Sequence, residues 1–353
     1  MSTSTTLLDN NNAEPVSPDT AATTVIGKTL ATQHKGRYVN KWMTMTTSDI
    51  FIAVLKWRRA KIEPLTDDEK KHVHPVIPVD LDRLRAPLAS PNSLRCTWIG
   101  HASFFVQFAG VSFLTDPVFA DRCSPFSFAG PKRYRDIPCQ LTQLPQVDFV
   151  TISHNHYDHL DVDVVKALGN NTHWFVPKGL KSWFASCGVN TVTELEWWEE
   201  ANFGDRVRIT CTPCHHNSNR GLTDRNCTLW SSWVVTDTQT NKNVFHSGDT
   251  AYCDVFKEIG HHMGGIDFGM IPIGAYSPRH IMREMHVDPA EAVQIHRDIG
   301  SKRSVGMHWG TFILTDEPLL EPPRKLKEAA TAAGLKDNEF TAMKIGEIID
   351  MDL

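Results

Sequence analysis

The densest group of potential metal ligands in this chain occupies a short polar segment that follows an apolar run. Residues 153–159, with the sequence SHNHYDH, place His154, His156, Asp158 and His159 close together. A helix cannot turn side chains at i and i+2 towards one point, whereas the end of a strand entering a loop can. Imidazole nitrogen and carboxylate oxygen both bind Zn²⁺. Four such groups are too many for one tetrahedral ion that must also leave one position open. We therefore expect two pairs, His154 with His156 and Asp158 with His159, each on its own ion.

Three later segments end an apolar run with a histidine or aspartate beside glycine or proline. They read TPCHH at 212–216, HSGD at 246–249 and GMHWG at 306–310. Strand ends that meet at one edge of a sheet could complete a site for two ions. Such ions would lower the pKa of a water towards about 7 and offset charge that develops at phosphorus. These residues therefore predict metal-assisted hydrolysis.

The elements that would position these ligands are strands in the first half and alternating strands and helices in the second. Apolar runs punctuated by glycine predict strands at 95–100, 103–108, 111–116, 147–153, 174–176, 207–212, 229–236, 244–247, 268–274 and 302–308. Helical patterns fall at 162–168, 178–187, 254–262 and 288–299. This order predicts an α+β fold of two sheets with helices outside.

Composition excludes several classes of protein. The chain has 353 residues, 41% of them hydrophobic, which is too apolar for a disordered protein. A net charge of −5 argues against a nucleic-acid partner, because neutralising phosphates requires a basic excess. No apolar run approaches the roughly 18 residues that span a bilayer, and the first residues lack the pattern of a signal peptide. We therefore predict an intracellular protein without a transmembrane helix.

The N-terminal region divides into two parts. Residues 1–35 are rich in Ser, Thr and Asn and predict a disordered tail, and residues 36–93 form a separate helical segment. A helix is predicted at 48–61, with basic residues around Trp57 in its second half. From these residues alone, a helix packed on the core is favoured over a membrane-surface helix.

The order of the ligands resembles that of a known superfamily. His-x-His-x-Asp-His, then a distant His, a Gly-Asp and a late His, is similar to the metallo-β-lactamase fold superfamily. The resemblance implies that residues 94–353 form a four-layer αβ/βα sandwich with two zinc ions at the edge of its sheets. It also implies how seven ligands divide: His154, His156 and His216 on the first ion, Asp158, His159 and His308 on the second, and Asp249 bridging both.

Further roles follow from the same resemblance. Asp249 would orient the attacking hydroxide, with Asp158 as a second catalytic carboxylate. His216 is preferred over His215, because the superfamily motif places its ligand at the end of Thr-Pro-x-x-His. Asp116, which lies in the early segment Thr-Asp-Pro, is implied to orient a metal ligand.

A narrower resemblance is borne by segments spread along the chain: TWIGHA at 97–102, GPKRY at 130–134, HNHYDHLD at 154–161, EWWEE at 196–200, IPIGAY at 271–276, HVDP at 286–289 and HWGTF at 308–312. Together with GRYVN at 36–40 and Trp42, they resemble the N-acylphosphatidylethanolamine-hydrolysing phospholipase D family. That family implies hydrolysis of N-acylphosphatidylethanolamine to N-acylethanolamine and phosphatidic acid. Lys41 departs from its usual proline.

The family resemblance also implies partners and location. It implies a homodimer attached peripherally to internal membranes of the Golgi or endosome type, with substrate contacts from Tyr157 and His286. It shifts the interpretation of the helix at 48–61 towards membrane contact, because a lipid substrate must be reached from the bilayer. Two alternatives stay open: a soluble dizinc phosphodiesterase or lactonase with a small phosphorylated substrate, and a non-catalytic scaffold.

Overall fold

A computed structural model describes residues 26–57, 60–126 and 128–353 of the chain. The strands, in chain order, are β1 Gln33–His34, β2 Arg37–Tyr38, β3 Ser93–Gly100, β4 Ser103–Phe108, β5 Val111–Thr115, β6 Phe149–Thr151, β7 His173–Pro177, β8 Val192–Leu195, β9 Glu200–Phe203, β10 Val207–Thr212, β11 Ser232–Asp237, β12 Lys242–His246, β13 Ile266–Pro272, β14 Ser301–Met307, β15 Phe340–Ala342 and β16 Ile348–Asp352.

The α-helices are α1 Thr47–Lys56, α2 Leu81–Arg85, α3 Val162–Leu168, α4 Lys181–Ser186, α5 Val255–Met263, α6 Arg279–Met282, α7 Pro289–Asp298 and α8 Glu321–Ala332. A short π-helical turn covers Glu69–Val73, and 3₁₀ turns cover Leu141–Gln143 and Gly169–Asn171. Helix α7 begins with a capping box, in which Asp288 accepts from the backbone of Ala290 and Glu291. None of the helices in the described ranges is long and apolar enough to cross a membrane.

Two seven-stranded sheets share one pattern of strand directions. The first sheet has the order β16-β3-β4-β5-β6-β7-β8, and the second has the order β15-β14-β13-β12-β11-β10-β9. In each sheet one half is antiparallel and the other half is parallel. The predicted α+β fold with two sheets is confirmed, and this repeated pattern was not visible in the sequence.

The sheets pack face to face, and helices cover their outer faces. Large buried side chains such as Trp98, Phe104 and Trp233 belong to the main core, which extends to α5, α7 and α8 beyond the second sheet. A separate core joins α3 and α4 to the outer face of the first sheet through residues such as Trp174 and Phe184. The result is the four-layer sandwich that the resemblance implied.

The N-terminal segment runs along the second sheet's side of the molecule. Residues 26–35 belong to the described part: Thr29 donates to Glu258 through its backbone N–H (2.6 Å) and its hydroxyl (2.7 Å). Strands β1 and β2 then form a short antiparallel pair. These contacts disagree with a disordered tail that extends to residue 35. The rest of that predicted tail, residues 1–25, lies outside the described residues.

The predicted helix at 48–61 is shorter in the structure. Helix α1 ends at Lys56, because the next residue is diverted into a tertiary contact: the Trp57 indole N–H donates to the Asp316 carboxylate. Two of the basic residues assigned to this helix, Arg58 and Arg59, lie outside the described residues. Helix α1 exposes Ile52 (47%) and Leu55 (69%) to solvent.

Candidate metal centre

Strand ends from both sheets converge at one edge of the sandwich. The segment 153–159 follows β6, His216 follows β10, Asp249 follows β12, and His308 directly follows β14. One glycine is required for this convergence: a Cβ on Gly248 would lie 2.4 Å from the Ser153 Cβ, and the Gly248 φ is +57°. Only glycine allows the turn into Asp249 to approach the first sheet this closely.

The first group of potential ligands consists of three histidines. The Nε2 of His154 lies 2.8 Å from the Nδ1 of His156, which lies 3.3 Å from the Nε2 of His216. The opposite nitrogen of His154 faces the Ser153 hydroxyl at 2.9 Å, and that of His216 faces the Met285 carbonyl at 3.1 Å. These outer contacts fix each ring so that its other nitrogen points into the group.

The second group is built around a buried carboxylate. The Oδ2 of Asp249 lies 3.1 Å from the Nε2 of His159, 3.0 Å from that of His308 and 3.8 Å from that of His216. The Oδ2 of Asp158 lies 3.4 Å from the Nε2 of His308 and 3.6 Å from that of His159. Asp249 therefore touches both groups. The structure brings together all seven predicted ligands.

The chemistry of these residues fits metal ions. The Oδ1 of Asp249 is buried without a hydrogen-bond partner in the described part of the chain, and the Nε2 atoms of His159 and His308 face the carboxylates of Asp158 and Asp249. Burial holds the pKa values of His154 and His216 well below 6.5, so both imidazoles are neutral. Burial raises the pKa of Asp249, but the neighbouring histidines outweigh it, and the pKa lies well below its usual range. Neutral imidazoles and ionised carboxylates are the forms that bind a divalent cation.

Burial lowers the pKa values of His159 and His308, but the Asp249 and Asp158 carboxylates outweigh it, raising the pKa of His308 to about 9 and that of His159 well above 6.5. A cation would therefore displace a proton from each of these two rings.

Asp116 orients the second group from behind. Its Oδ2 accepts from the Nδ1 of His159 at 2.7 Å and from the Ser153 hydroxyl at 2.6 Å. Its Oδ1 accepts from the Ser153 backbone N–H at 2.7 Å. The carboxylate is fully buried. Asp116 thus selects the His159 tautomer whose Nε2 is free to bind a cation.

Two buried histidines belong to the cluster although the sequence analysis gave them no role. The Nε2 of His101 lies 3.0 Å from the Oδ2 of Asp158, and its ring centroid lies 4.1 Å from that of His308. The Nε2 of His246 lies 3.8 Å from the Oδ2 of Asp116. Both residues end strands that lead to the ligand edge, which is the signal that could have identified them. His215 points elsewhere, against the indole of Trp42 at 5.9 Å.

The two predicted substrate contacts have different surroundings. The Nδ1 of His286 lies 3.8 Å from the Oδ2 of Asp249, and the residue lines the cavity beside the cluster. Burial lowers the pKa of His286 to about 4. Tyr157 instead donates its hydroxyl to the Arg220 carbonyl at 3.0 Å and stacks on the Arg220 guanidinium at 4.1 Å. It lines a separate small cavity with Trp183 and Asp161.

An open cavity of about 1130 Å³ adjoins the cluster. Its floor includes His156, Asp158 and Asp249, and its walls come from the N-terminal segment 34–46 and the loop 217–226. The Asn40 amide attaches the N-terminal segment to the loop by donating to the His216 carbonyl at 2.7 Å. The walls include apolar side chains, among them Met43, Met45 and Leu222. A cavity of this size can hold a ligand with both polar and apolar parts.

Comparisons with known proteins agree with this geometry. Residues 112–309 match the beta-lactamase superfamily domain. The chain is 48% identical over 273 residues to N-acyl-phosphatidylethanolamine-hydrolyzing phospholipase D 1 of Caenorhabditis elegans, covering 73% of this chain and 76% of the relative. It is 37% identical to the mitochondrial N-acyl-phosphatidylethanolamine-hydrolyzing phospholipase D of Saccharomyces cerevisiae, covering 73% of this chain and 57% of that one.

Solved structures share the fold. An isothiocyanate hydrolase from Delia radicum gut bacteria aligns with a TM-score of 0.60 at 20% identity, over 73% of this chain and all of that one. The metallo hydrolase Igni18 of Ignicoccus hospitalis aligns with a TM-score of 0.57 at 19% identity, over 74% of this chain and 99% of that one. The chain therefore belongs to the N-acylphosphatidylethanolamine-hydrolysing phospholipase D family of the metallo-β-lactamase fold superfamily.

Proposed function

We propose that this protein is a zinc-dependent phosphodiesterase that hydrolyses N-acylphosphatidylethanolamine to N-acylethanolamine and phosphatidic acid. The observation that supports this most is a cluster of six histidines and aspartates around the carboxylate of Asp249, in a chain 48% identical to a relative named for that reaction. The cluster opens into a cavity with polar and apolar walls, as a phospholipid requires.

The proposed site holds two zinc ions. His154, His156 and His216 would bind the first ion, Asp158, His159 and His308 the second, and Asp249 would bridge them. When bound, the ions lower the pKa of a water towards about 7 and offset charge on a phosphodiester. The donor set is compatible with zinc, which binds imidazole nitrogen and carboxylate oxygen.

Asp249 is the proposed catalytic carboxylate. Its Oδ2 faces three ligand histidines, while its buried Oδ1 has no hydrogen-bond partner in the described residues. That Oδ1 is available to accept a hydrogen bond from the attacking water and to hold a lone pair of the water towards phosphorus. Asp158, fixed by His101, supports the same region as a second carboxylate. Attack forms a bond from the water oxygen to phosphorus and breaks the P–O bond to the ethanolamine oxygen. The leaving alkoxide takes up the equivalent of the proton that the attacking water loses.

His286 is proposed to position the substrate. It lines the cavity, and its Nδ1 is buried without a partner in the described chain. As a neutral imidazole it can donate one hydrogen bond to a phosphate or leaving-group oxygen. Tyr157 would act without contacting the substrate, by supporting Arg220 of the loop 217–226. A direct substrate contact from Tyr157 would need its hydroxyl to leave the Arg220 carbonyl.

Membrane contact is proposed for helix α1. The helix exposes Ile52 and Leu55 near its C-terminal end. The sequence from that end onward, KWRRAK at 56–61, contains four basic residues. Exposed aliphatic groups next to Lys and Arg favour an anionic lipid surface, at about 1 kcal/mol for each cation. We further propose a homodimer on internal membranes, which sedimentation of the purified protein and fractionation of cells would test.

The function is tested by assaying N-acylphosphatidylethanolamine in neutral mixed micelles, with the zinc content measured on the same sample. Turnover should cease in EDTA and return with zinc, and the Asp249→Asn variant with bound zinc should lose most of it. Near-normal turnover by zinc-loaded Asp249→Asn would overturn the mechanism. Hydrolysis of soluble phosphodiesters but not of the lipid would support the soluble phosphodiesterase instead. Metal binding without hydrolysis would support a scaffold.

A further inference from the structure

The cavity beside the metal-binding cluster is cationic beyond the cluster itself. Among the described residues that line it, the only carboxylates are Asp158 and Asp249, which both belong to the cluster. Two arginines, Arg37 and Arg225, line the same cavity. Positive side chains without acidic neighbours in a concave, partly apolar site favour an anionic ligand.

The two arginines differ in what their guanidinium groups contact. The Arg37 guanidinium donates to two main-chain carbonyls of the loop 217–226, that of Thr223 at 2.7 Å and that of Arg225. Arg37 therefore fastens strand β2 to the loop, with both of its terminal nitrogens engaged. Because Arg37 is engaged in these contacts, Arg225 is the cavity arginine that is available to bind a ligand.

Arg225 is half-buried, and its guanidinium makes no ion pair within the described residues. Its hydrogen-bond contact is a weak one, from Nη2 to the Met43 sulfur at 3.8 Å. Burial lowers the pKa of Arg225, which reports a loss of solvation without a compensating carboxylate. A partly desolvated charge without a partner is costly in the free protein, and binding an anion would recover that cost.

Arg225 lines the same cavity as two of the proposed metal ligands, His156 and His216. The next residue, Asn226, fixes the main chain beside Arg225 through two hydrogen bonds to Tyr38. The Asn226 side-chain amide donates to the Tyr38 carbonyl at 3.1 Å, and the Asn226 carbonyl accepts from the Tyr38 N–H at 2.8 Å. The arginine thus lies on a fixed loop in the wall of the cavity.

We propose that Arg225 binds a phosphate oxygen of the substrate and thereby selects anionic phosphodiesters. Guanidinium groups bind anionic phosphate oxygens through paired, charge-assisted hydrogen bonds, which are stronger than their hydrogen bonds to the uncharged oxygens of a neutral ester. The assignment rests on the proposed function for the identity of the substrate, whereas the recognition of a phosphate oxyanion by Arg225 can be tested without it.

The first experiment compares Arg225→Gln, Arg225→Lys and the control Lys41→Gln in the lipid assay with neutral detergent. Removing Arg225 should raise KM about 10- to 100-fold, the range for one charged hydrogen bond, with a smaller change in kcat. Lysine should recover part of the loss. Lys41→Gln removes the same charge from the segment 34–46 at a residue that does not itself line the cavity, because its side chain donates to the Thr29 hydroxyl. It should keep the wild-type KM.

The second experiment measures binding of soluble dihexanoyl phosphatidic acid by calorimetry. Arg225→Gln should bind it at least tenfold more weakly than wild type, and Lys41→Gln should not. Equal binding and equal KM in wild type and Arg225→Gln would overturn the assignment. So would a difference that arises only when phosphatidylglycerol is added to the micelles, because Arg225 would then bind a neighbouring headgroup. If wild type hydrolyses no lipid, the proposed function fails, and calorimetry still decides the role of Arg225.

Discussion

The imidazole of His101 holds the carboxylate of Asp158 in place, with its Nε2 3.0 Å from the Asp158 Oδ2. The His101 main chain is itself fixed: its N–H donates to the Thr311 hydroxyl at 2.8 Å, and its carbonyl accepts from the His308 N–H at 3.1 Å. His101 therefore joins two of the proposed ligands of the second ion, Asp158 and His308. A residue that orients a ligand is expected to affect metal affinity without binding the metal.

Replacing His101 by Asn should selectively weaken the second metal site. Asn tolerates the positive φ of 54° at this position, but its amide is too short to reach Asp158. Zinc affinity at that site should fall about 10- to 100-fold, so that dialysed protein retains about one ion fewer per chain. Elemental analysis measures this, with the exposed His261→Asn variant as control. Unchanged zinc content at limiting zinc would contradict the role of His101.

Asp116→Asn should weaken the same site by a different route. An amide accepts through one terminal atom only, so its NH2 group would face a donor, either the Ser153 N–H or the His159 Nδ1–H and the Ser153 hydroxyl. The arrangement that fixes the His159 tautomer would be lost. We expect zinc affinity to fall about 10- to 100-fold in competition with a chromophoric chelator. Asp163→Asn, on the exposed first turn of α3, is the matched control. The role of Asp116 would be refuted if both variants bound zinc like wild type.

His74, which lies outside the cluster, should make the fold sensitive to acid. It is buried against the Trp309 ring (4.6 Å between centroids), and burial lowers its pKa to about 4. Because the unfolded-state pKa is near 6.5, the unfolded chain binds the proton first. The stability that depends on neutral His74 is present above pH 6.5 and is lost as the pH falls towards 4.

Urea unfolding at pH 7 and pH 5 measures this contribution. Wild type should lose about 2 kcal/mol more between these pH values than His74→Phe, which keeps an aromatic ring against Trp309. The comparison between the two proteins cancels the contributions of the other histidines. An equal loss in both would show that His74 is protonated to the same extent in the folded and unfolded chains.

Helix α1 should contribute to vesicle binding through its exposed aliphatic side chains. The double substitution Ile52→Ser and Leu55→Ser should weaken binding to anionic vesicles at least about tenfold, because each side chain would otherwise leave water. Hydrolysis of lipid dispersed in detergent should be spared. Val73→Ser, an exposed aliphatic residue on the π-helical turn, is the control. Vesicle binding equal to wild type in co-sedimentation would exclude α1 as the contact.

Elements with strong periodicity could be predicted from the sequence. Strand β10 occupies the predicted residues 207–212, and α5 and α7 lie within a residue of their predicted bounds, because apolar spacing and the Asp288 cap act locally. The missed elements are helices α2, α6 and α8, strands β1, β2, β8 and β15, and the edge strands β9 and β16. Glu200 and Asp350 sit in these edge strands among polar or alternating residues, so burial gives little signal there.

The part of the candidate site whose residues are close in sequence could be predicted, whereas contacts between residues that are distant in the chain could not. The spacing of residues 154–159 indicates a metal centre by itself. The contacts of His101 and Arg225 depend on segments that are distant in the chain: His101 meets Asp158 and Thr311, and the loop 217–226 is attached to β2. Tyr157 shows the opposite case: it lies among the ligands in sequence, yet its ring turns to Arg220.

The most direct test of the central claim is hydrolysis of N-acylphosphatidylethanolamine by zinc-loaded protein in water enriched with ¹⁸O, with products analysed by mass spectrometry. We predict that one ¹⁸O atom enters the phosphate of phosphatidic acid, that none enters N-acylethanolamine, and that both products vanish after zinc removal. Label in the N-acylethanolamine, or product formation that persists without metal, would contradict metal-assisted attack at phosphorus.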